Sequence, residues 1–157
     1  MKVSVSLSDK DLAIDGLHFG VSCNVRSLAN GQRRTDEVIR SVPEGKPYDP
    51  RPFPKGTWKI TAVEWQPDYG FSIDTYGPVK IRTDAFQPVK VWALDDDGDY
   101  AYETAEIIID RGYLLHFSPS KTTWGCIRKE SPEDAITIGK MIEEALDTDE
   151  EVILEVL

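Results

Sequence analysis

Apolar and polar side chains alternate over the first seven residues, Val3, Val5 and Leu7 against Lys2, Ser4 and Ser6. A period of two puts the apolar set on one face of a half-buried strand. Ser8-Asp9-Lys10-Asp11 reads as a turn, Leu12-Ala13-Ile14 as the returning strand, and Leu17 to Val25 as a third strand that carries His18 and Cys23. From 26 to 55 the pattern lapses. Thr35 to Arg40 suits a short helix, but Pro43, Pro47, Pro50, Pro52 and Pro54 forbid regular structure after it. A loop of this length in one domain is usually functional or wrapped. Tyr48 and Phe53 supply apolar anchors for an arm laid over the sheet, with a lid over a substrate cleft as the alternative.

Pattern returns at Pro54-Lys55-Gly56. Thr57-Trp58-Lys59-Ile60-Thr61-Ala62 alternates cleanly and slips at Ala62-Val63, the mark of a bulge. Gln66 to Gly70 turns the chain into a strand over Phe71 to Thr75, and Val79 to Arg82 and Pro88 to Leu94 add two more. Asp95-Asp96-Asp97-Gly98-Asp99 reads as a hairpin turn. It fails the EF-hand frame, because Gly98 at the sixth place leaves Ala93 at the first and Thr104 at the twelfth. Tyr100 to Ala105 and Glu106 to Ile109 resume the strand pattern, and Ile107-Ile108-Ile109 is expected to be buried. After the turn Asp110-Arg111-Gly112, Tyr113 to Phe117 forms a strand that delivers His116.

The period then changes. Ser131-Pro132-Glu133-Asp134 joins a capping serine, a first-turn proline and two acids near the positive end of a helix dipole. Ala135, Ile138, Met141, Ile142 and Ala145 follow at helical spacing, with Gly139 allowing close approach to a sheet. Glu151 to Leu157 reads as a closing strand. The sum predicts one domain over residues 1–157. Its class is mostly β (α+β), sandwich or barrel-like, with a single C-terminal helix packed on the sheet.

Composition narrows the function classes. A length of 157 residues suffices for a core without staples, and 40% hydrophobic with 29% charged residues is ordinary for a globular chain. A net charge of −10 without a basic stripe argues against nucleic acid as a partner and against an anionic membrane surface. No apolar run approaches the length of a membrane span. Cys23 and Cys126 fit neither a metal spacing nor a disulfide framework, though a single bridge between them stays open. Neither His18 nor Cys23 has a partner at ligand spacing, so no metal is expected. The alternating start at Met1 reads as a strand and not a signal peptide, which gives an expectation of synthesis in the cytoplasm.

The chemistry-bearing stretch is Leu114-Leu115-His116-Phe117, a short polar loop, and Thr123-Trp124-Gly125-Cys126-Ile127-Arg128. A thiolate, not a thiol, attacks carbonyl carbon, and an imidazole in reach both generates it and returns the proton to a leaving amine. Gly125 permits a tight backbone beside Cys126, whose neighbouring N–H groups can stabilise an oxyanion. Ile127 would anchor the segment in the core, and Arg128 offers a planar fork for a carboxylate. The same residues admit a plainer reading. Cys126 is then a small buried hydrophobe, His116 a strand residue with a satisfied hydrogen bond, and Arg128 a surface charge.

The order of these residues resembles the signature of the L,D-transpeptidase (YkuD-like) catalytic domain. That signature runs histidine, spacer, Ser or Thr, a second histidine, Gly, Cys, a hydrophobic residue, and Arg or Asn. Thr123, Gly125, Cys126, Ile127 and Arg128 match it place by place, and Pro54-Lys55-Gly56-Thr57 before a strand looks like the family's Pro-x-Gly-Thr/Ser opening. Trp124 stands where the second histidine usually does, and the spacer after His116 is short. Compact members of the superfamily, among them type VI secretion effectors and phage-related proteins, show both features.

The resemblance implies a β-rich domain in which Cys126 attacks the carbonyl of the diamino acid at position three of a peptidoglycan tetrapeptide stem. D-alanine leaves, and the thioester is resolved by an amine (transpeptidase) or water (carboxypeptidase). His116 would be the base, oriented by the carbonyl of Phe117, with the backbone of Gly125 in the oxyanion site and Arg128, Trp124 and Thr123 against substrate. No cofactor is implied. The substrate lies outside the cytoplasmic membrane, in the periplasm or cell wall, so the resemblance implies a leader already removed, export by a contractile secretion route, as for an antibacterial effector, or release in a phage setting. Papain-like peptidases place cysteine before histidine, opposite to the order here. The non-enzyme alternative is an inactive β-rich binding or structural module of the same fold.

Overall fold

The computed structural model describes residues 1–23, 51–67, 76–97, 100–117, 126–129 and 131–157. Alternation carries through to strands at β1 (Lys2–Ser6), β2 (Asp11–Ile14) and β3 (Leu17–Ser22), which form a meander. After Pro54, β4 (Gly56–Trp65) pairs with β5 (Val79–Thr83), with a register shift between Ile60 and Ala62. Two short strands, β8 (Leu114–Phe117) and β9 (Ile127–Lys129), lie side by side in parallel. The last strand, β10 (Ile153–Val156), runs parallel to β1 and antiparallel to β4. The result is a closed barrel of order β1-β10-β4-β5-β8-β9-β3-β2. Closure leaves these eight strands without a free sheet edge.

Between β5 and β8 the chain makes a separate two-stranded ribbon, β6 (Gln87–Leu94) and β7 (Tyr100–Asp110). The expectation that Ile107-Ile108-Ile109 is buried is corrected here. Ile107 is 61% and Ile109 43% exposed. In a ribbon paired only with itself, one face stays open. Ile107 and Ile109 stand opposite Lys90 and Pro88 on that face, whereas Ile108 stands opposite the buried Val89. A run of three apolar residues therefore splits between two faces, as the period of two demands.

The helix, α1 (Pro132–Asp147), begins as its cap residues dictate: Asp134 N–H donates to Ser131 Oγ at 3.1 Å, and Glu133 and Asp134 occupy the first turn. Ala135, Ile138, Gly139, Ile142 and Ala145 form its buried face. They share one core with the inward residues Val3, Val5, Leu12, Ile14, Val21, Val79, Ile81, Leu115, Ile127 and Leu154. A Cβ on Gly139 would stand 3.2 Å from Trp65 and 3.3 Å from Val79, so the missing side chain is what lets the helix approach β4 and β5. Phe53, 1% exposed, belongs to the same core, as its reading as an anchor predicts. Tyr48, Thr35 to Arg40 and Phe71 to Thr75 lie outside the described residues. Among the described residues, no helix is long and apolar enough to cross a membrane.

Candidate functional site

β8 and β9 place the chemistry. Leu115 and Ile127 are register partners, both fully buried in the barrel core. Strand alternation then sends Leu114 and His116 of β8, and Cys126 and Arg128 around β9, to the opposite, outer face. His116 stands beside Arg128 in register, and Cys126, one residue before β9, falls beside Leu114. Cys126 and His116 are therefore diagonal neighbours on one face, two residues along and one strand across. Ordinary sheet spacing makes that roughly 8 Å between Cα atoms, a gap that an imidazole and a thiol extending toward each other can close.

His116 is 5% exposed, and its Nδ1 lies 2.7 Å from the carbonyl oxygen of Phe117. A carbonyl only accepts, so Nδ1 carries the proton and the lone pair is left on Nε2. The Phe117 carbonyl is itself held by packing. Phe117 lies against the core, and Gly77, with φ +69°, comes so near it that an added Cβ would stand 2.8 Å from Phe117 Cβ. The ring of Tyr76 meets the imidazole edge-on with centroids 5.2 Å apart.

Cys126 is 4% exposed, and its thiol donates to the carbonyl of Gly112 at 3.8 Å. Gly112 closes the turn at the root of the β6–β7 ribbon, where its N–H donates to Asp110 Oδ1 at 3.2 Å. Asp110 is fully buried, so this turn is fixed from inside. Cys23 and Cys126 are both free thiols, which settles the bridge left open by the sequence. The pairing of Ser22 with Arg128 explains why: it turns Cys23 toward the core, where it accepts from Phe53 N–H at 3.2 Å, while Cys126 faces outward.

His116 belongs to a longer row. The registers of four strand pairs line up Glu64, Lys80, His116, Arg128 and Ser22 across β4, β5, β8, β9 and β3. Arg128 Nη1 donates to Ser22 Oγ at 3.4 Å. One step along, Arg82 donates to Glu64 Oε1, which holds the Glu64 carboxyl below the usual range and the Arg82 guanidinium above its own. Lys80 Nζ lies 4.1 Å from the centroid of the Tyr76 ring.

Of the residues singled out in the sequence, His116, Phe117, Cys126 and Arg128 meet at β8 and β9, while Thr123, Trp124 and Gly125 lie outside the described residues. Sequence reasoning passed over Gly112, Tyr76, Lys80 and Ser22. Asp110-Arg111-Gly112 is legible as a turn, but nothing local shows that its carbonyl meets Cys126. Lys80 and Ser22 reach the site only through register. His18, exposed, bonds Asp11 Oδ2 at 2.8 Å. Among the described residues no cluster of three or more His, Cys, Asp or Glu side chains is arranged to hold a metal. An open depression of about 540 Å³ at Met1, Lys2, Thr57, Glu151, Ile153 and Glu155 lies elsewhere on the barrel. Its carboxylates already pair with Lys59 and Lys2.

The inward side of β9 holds a second unusual group. Lys129 is fully buried, and its Nζ has no hydrogen-bond partner among the described residues. Burial pushes its ammonium down to about 7, against a weaker opposing pull from Asp134.

No protein-family model, curated protein or solved structure matches the chain.

Proposed function

We propose that the chain is a cysteine acyl-transfer enzyme acting on peptidoglycan stem peptides, as an L,D-transpeptidase or L,D-carboxypeptidase. The observation that carries this reading is the bond from His116 Nδ1 to the Phe117 carbonyl. It leaves Nε2 basic on the sheet face that also bears Cys126. The motif resemblance, His116 ahead of Thr123, Gly125, Cys126, Ile127 and Arg128, supplies the substrate class.

In this mechanism Nε2 takes the Cys126 proton, and the thiolate adds to the carbonyl carbon of the third stem residue. Backbone N–H groups at Gly125 and Cys126 receive the oxyanion. Collapse breaks the C–N bond, the imidazolium returns its proton to the leaving D-alanine amine, and a thioester remains on Cys126. An amine or water then attacks the thioester, giving its proton to Nε2 and restoring the thiol. The Arg128 guanidinium, next to His116 in register, binds a substrate carboxylate.

The second reading, a binding module of the same frame, is favoured by one observation. Both Cys126 and His116 are nearly closed to solvent, at 4% and 5% exposure. Two measurements separate the readings. Incubation with disaccharide-tetrapeptide, followed by mass spectrometry, is expected to give D-alanine release that vanishes in Cys126→Ala. No release, or release undiminished by that substitution, rejects the enzyme. Alkylation of Cys126 near neutral pH is expected to be fast and to slow in His116→Ala, whereas a structural thiol reacts only on unfolding.

A further inference from the structure

The β6–β7 ribbon turns one face to solvent, and that face is apolar. Its rungs are Pro88 with Ile109 and Lys90 with Ile107, and one step nearer the barrel the Arg111 guanidinium lies 5.2 Å from the centroid of the Phe86 ring. Phe86 is 44%, Ile109 43% and Ile107 61% exposed, whereas Val89 and Val91 on the reverse face are buried. Toward the turn, Tyr102 is 61% exposed and meets the ring of Trp92 edge-on, with centroids 5.5 Å apart. Exposed aromatic and branched side chains gathered along one element have the make-up of a contact surface.

Charge is laid out along the length of the ribbon. The half near the barrel carries Lys90, which is exposed and makes no ion pair among the described residues. The far end carries Asp95, Asp96 and Asp97, all exposed. Asp95 Oδ1 is used inside the turn, where it accepts from Asp97 N–H at 3.0 Å. The carboxylates of Asp96 and Asp97 make no ion pair among the described residues. A face that is basic toward one end, acidic at the other and apolar between is complementary to itself turned end for end. A two-fold axis produces that arrangement, since it sets each end of one copy against the opposite end of the other. A parallel arrangement would set lysine against lysine and aspartates against aspartates. Size then sets the strength. The 8 residues of β6, at about 3.3 Å each, make a face roughly 26 Å long. Two strands wide, it buries well below the roughly 1,600 Å² of a standard interface, so the contact is weak and reversible.

We infer that the outer face of the β6–β7 ribbon binds a second copy of this chain, antiparallel about a two-fold axis, with Ile107, Ile109 and Tyr102 in an apolar seam and Lys90 of each copy against the acidic turn of the other. The inference is independent of the acyl-transfer reading.

Sedimentation equilibrium of the full chain, run from about 10 μM to about 1 mM, is expected to show monomer and dimer in exchange. Ile107→Ser with Ile109→Ser removes the seam and leaves the charges alone, and is expected to give a monomer throughout. Two charge variants test the orientation. Lys90→Glu, and Asp96→Lys with Asp97→Lys, each set like charges together at both ends of a homodimer, and each is expected to weaken it about tenfold or more. An equimolar mixture of these two variants is expected to recover the dimer, because both ends then join opposite charges. Thermal unfolding of every variant shows whether the barrel is intact. A parent chain that stays monomeric to about 1 mM, a dimer that survives loss of the two isoleucines, charge variants that associate like the parent, or a mixture that associates no better than either variant alone would overturn the inference.

Discussion

His116 owes its proton arrangement to the backbone of the next residue and not to a carboxylate. Its Nδ1 partner is the Phe117 carbonyl, whose position depends on Phe117 packing against the core and on Gly77. Gly77 is thus a remote part of the site. An alanine there would need a left-handed backbone and would place Cβ 2.8 Å from both Phe117 Cβ and Cδ1. Gly77→Ala is expected to cost about 1–2 kcal/mol from the backbone alone, with further loss as Phe117 shifts. Urea unfolding measures the cost, and the imidazole resonances of His116 report whether its hydrogen bond to Phe117 survives.

At the level of elements, the helix is the clearest case of local sequence deciding structure. Ser131 Oγ accepts from Asp134 N–H, and Pro132 sits where its missing N–H costs nothing. Ser131→Ala is expected to lower stability by about 1 kcal/mol in urea unfolding, with the helix retained because its buried face is unchanged. The helix and strands β1, β2, β4, β5 and β10 were legible from periodicity, since each shows a single face of apolar residues. Strand β9 was not. Ile127-Arg128-Lys129 is too short to show a period, and Lys129 puts a charged residue type at an inward position, which disguises the alternation. The candidate site was legible as a set of residue types at a spacing, His116 and Cys126 to Arg128. Its neighbours Lys80 and Ser22 were not, because strand partners 36 and 106 positions apart leave no local trace, and Gly112, 14 positions before Cys126, meets it only through the fold of the intervening chain. Ile107 and Ile109 misled for a related reason. Apolar content marks a strand, but only its pairing decides which face is covered.

For the molecule as a whole, Lys129 links stability to pH. Its ammonium falls from the ordinary 10.5 to about 7 on folding, so between those values the unfolded chain binds more protons than the folded one. Stability contributed by this group therefore rises with pH across that window, and the cost of burying the charge is fully present below about 7. Lys129→Met keeps much of the side-chain volume and removes the amine. The substituted chain is expected to be more stable at pH 6 to 7, by on the order of a few kcal/mol, and so to melt at a higher temperature. The difference from the parent should shrink toward pH 10. Thermal unfolding of both proteins at pH 6, 8 and 10 measures it, and a constant difference would show that Lys129 does not titrate in this range.

Barrel closure joins β1 to β10, so Val3 is paired with Leu154. Such a pairing spans nearly the whole sequence, and loop-closure entropy is lost before the contact returns anything. The kinetic consequence is a fold that cannot close its barrel until both ends of the chain are present. Closure belongs late in folding, in the slow range of β-rich topologies, milliseconds to seconds. Until then β2 and β3 can pair as a local meander, and β6 with β7 as a local ribbon, while β1 and β4 wait with open edges for the last strand.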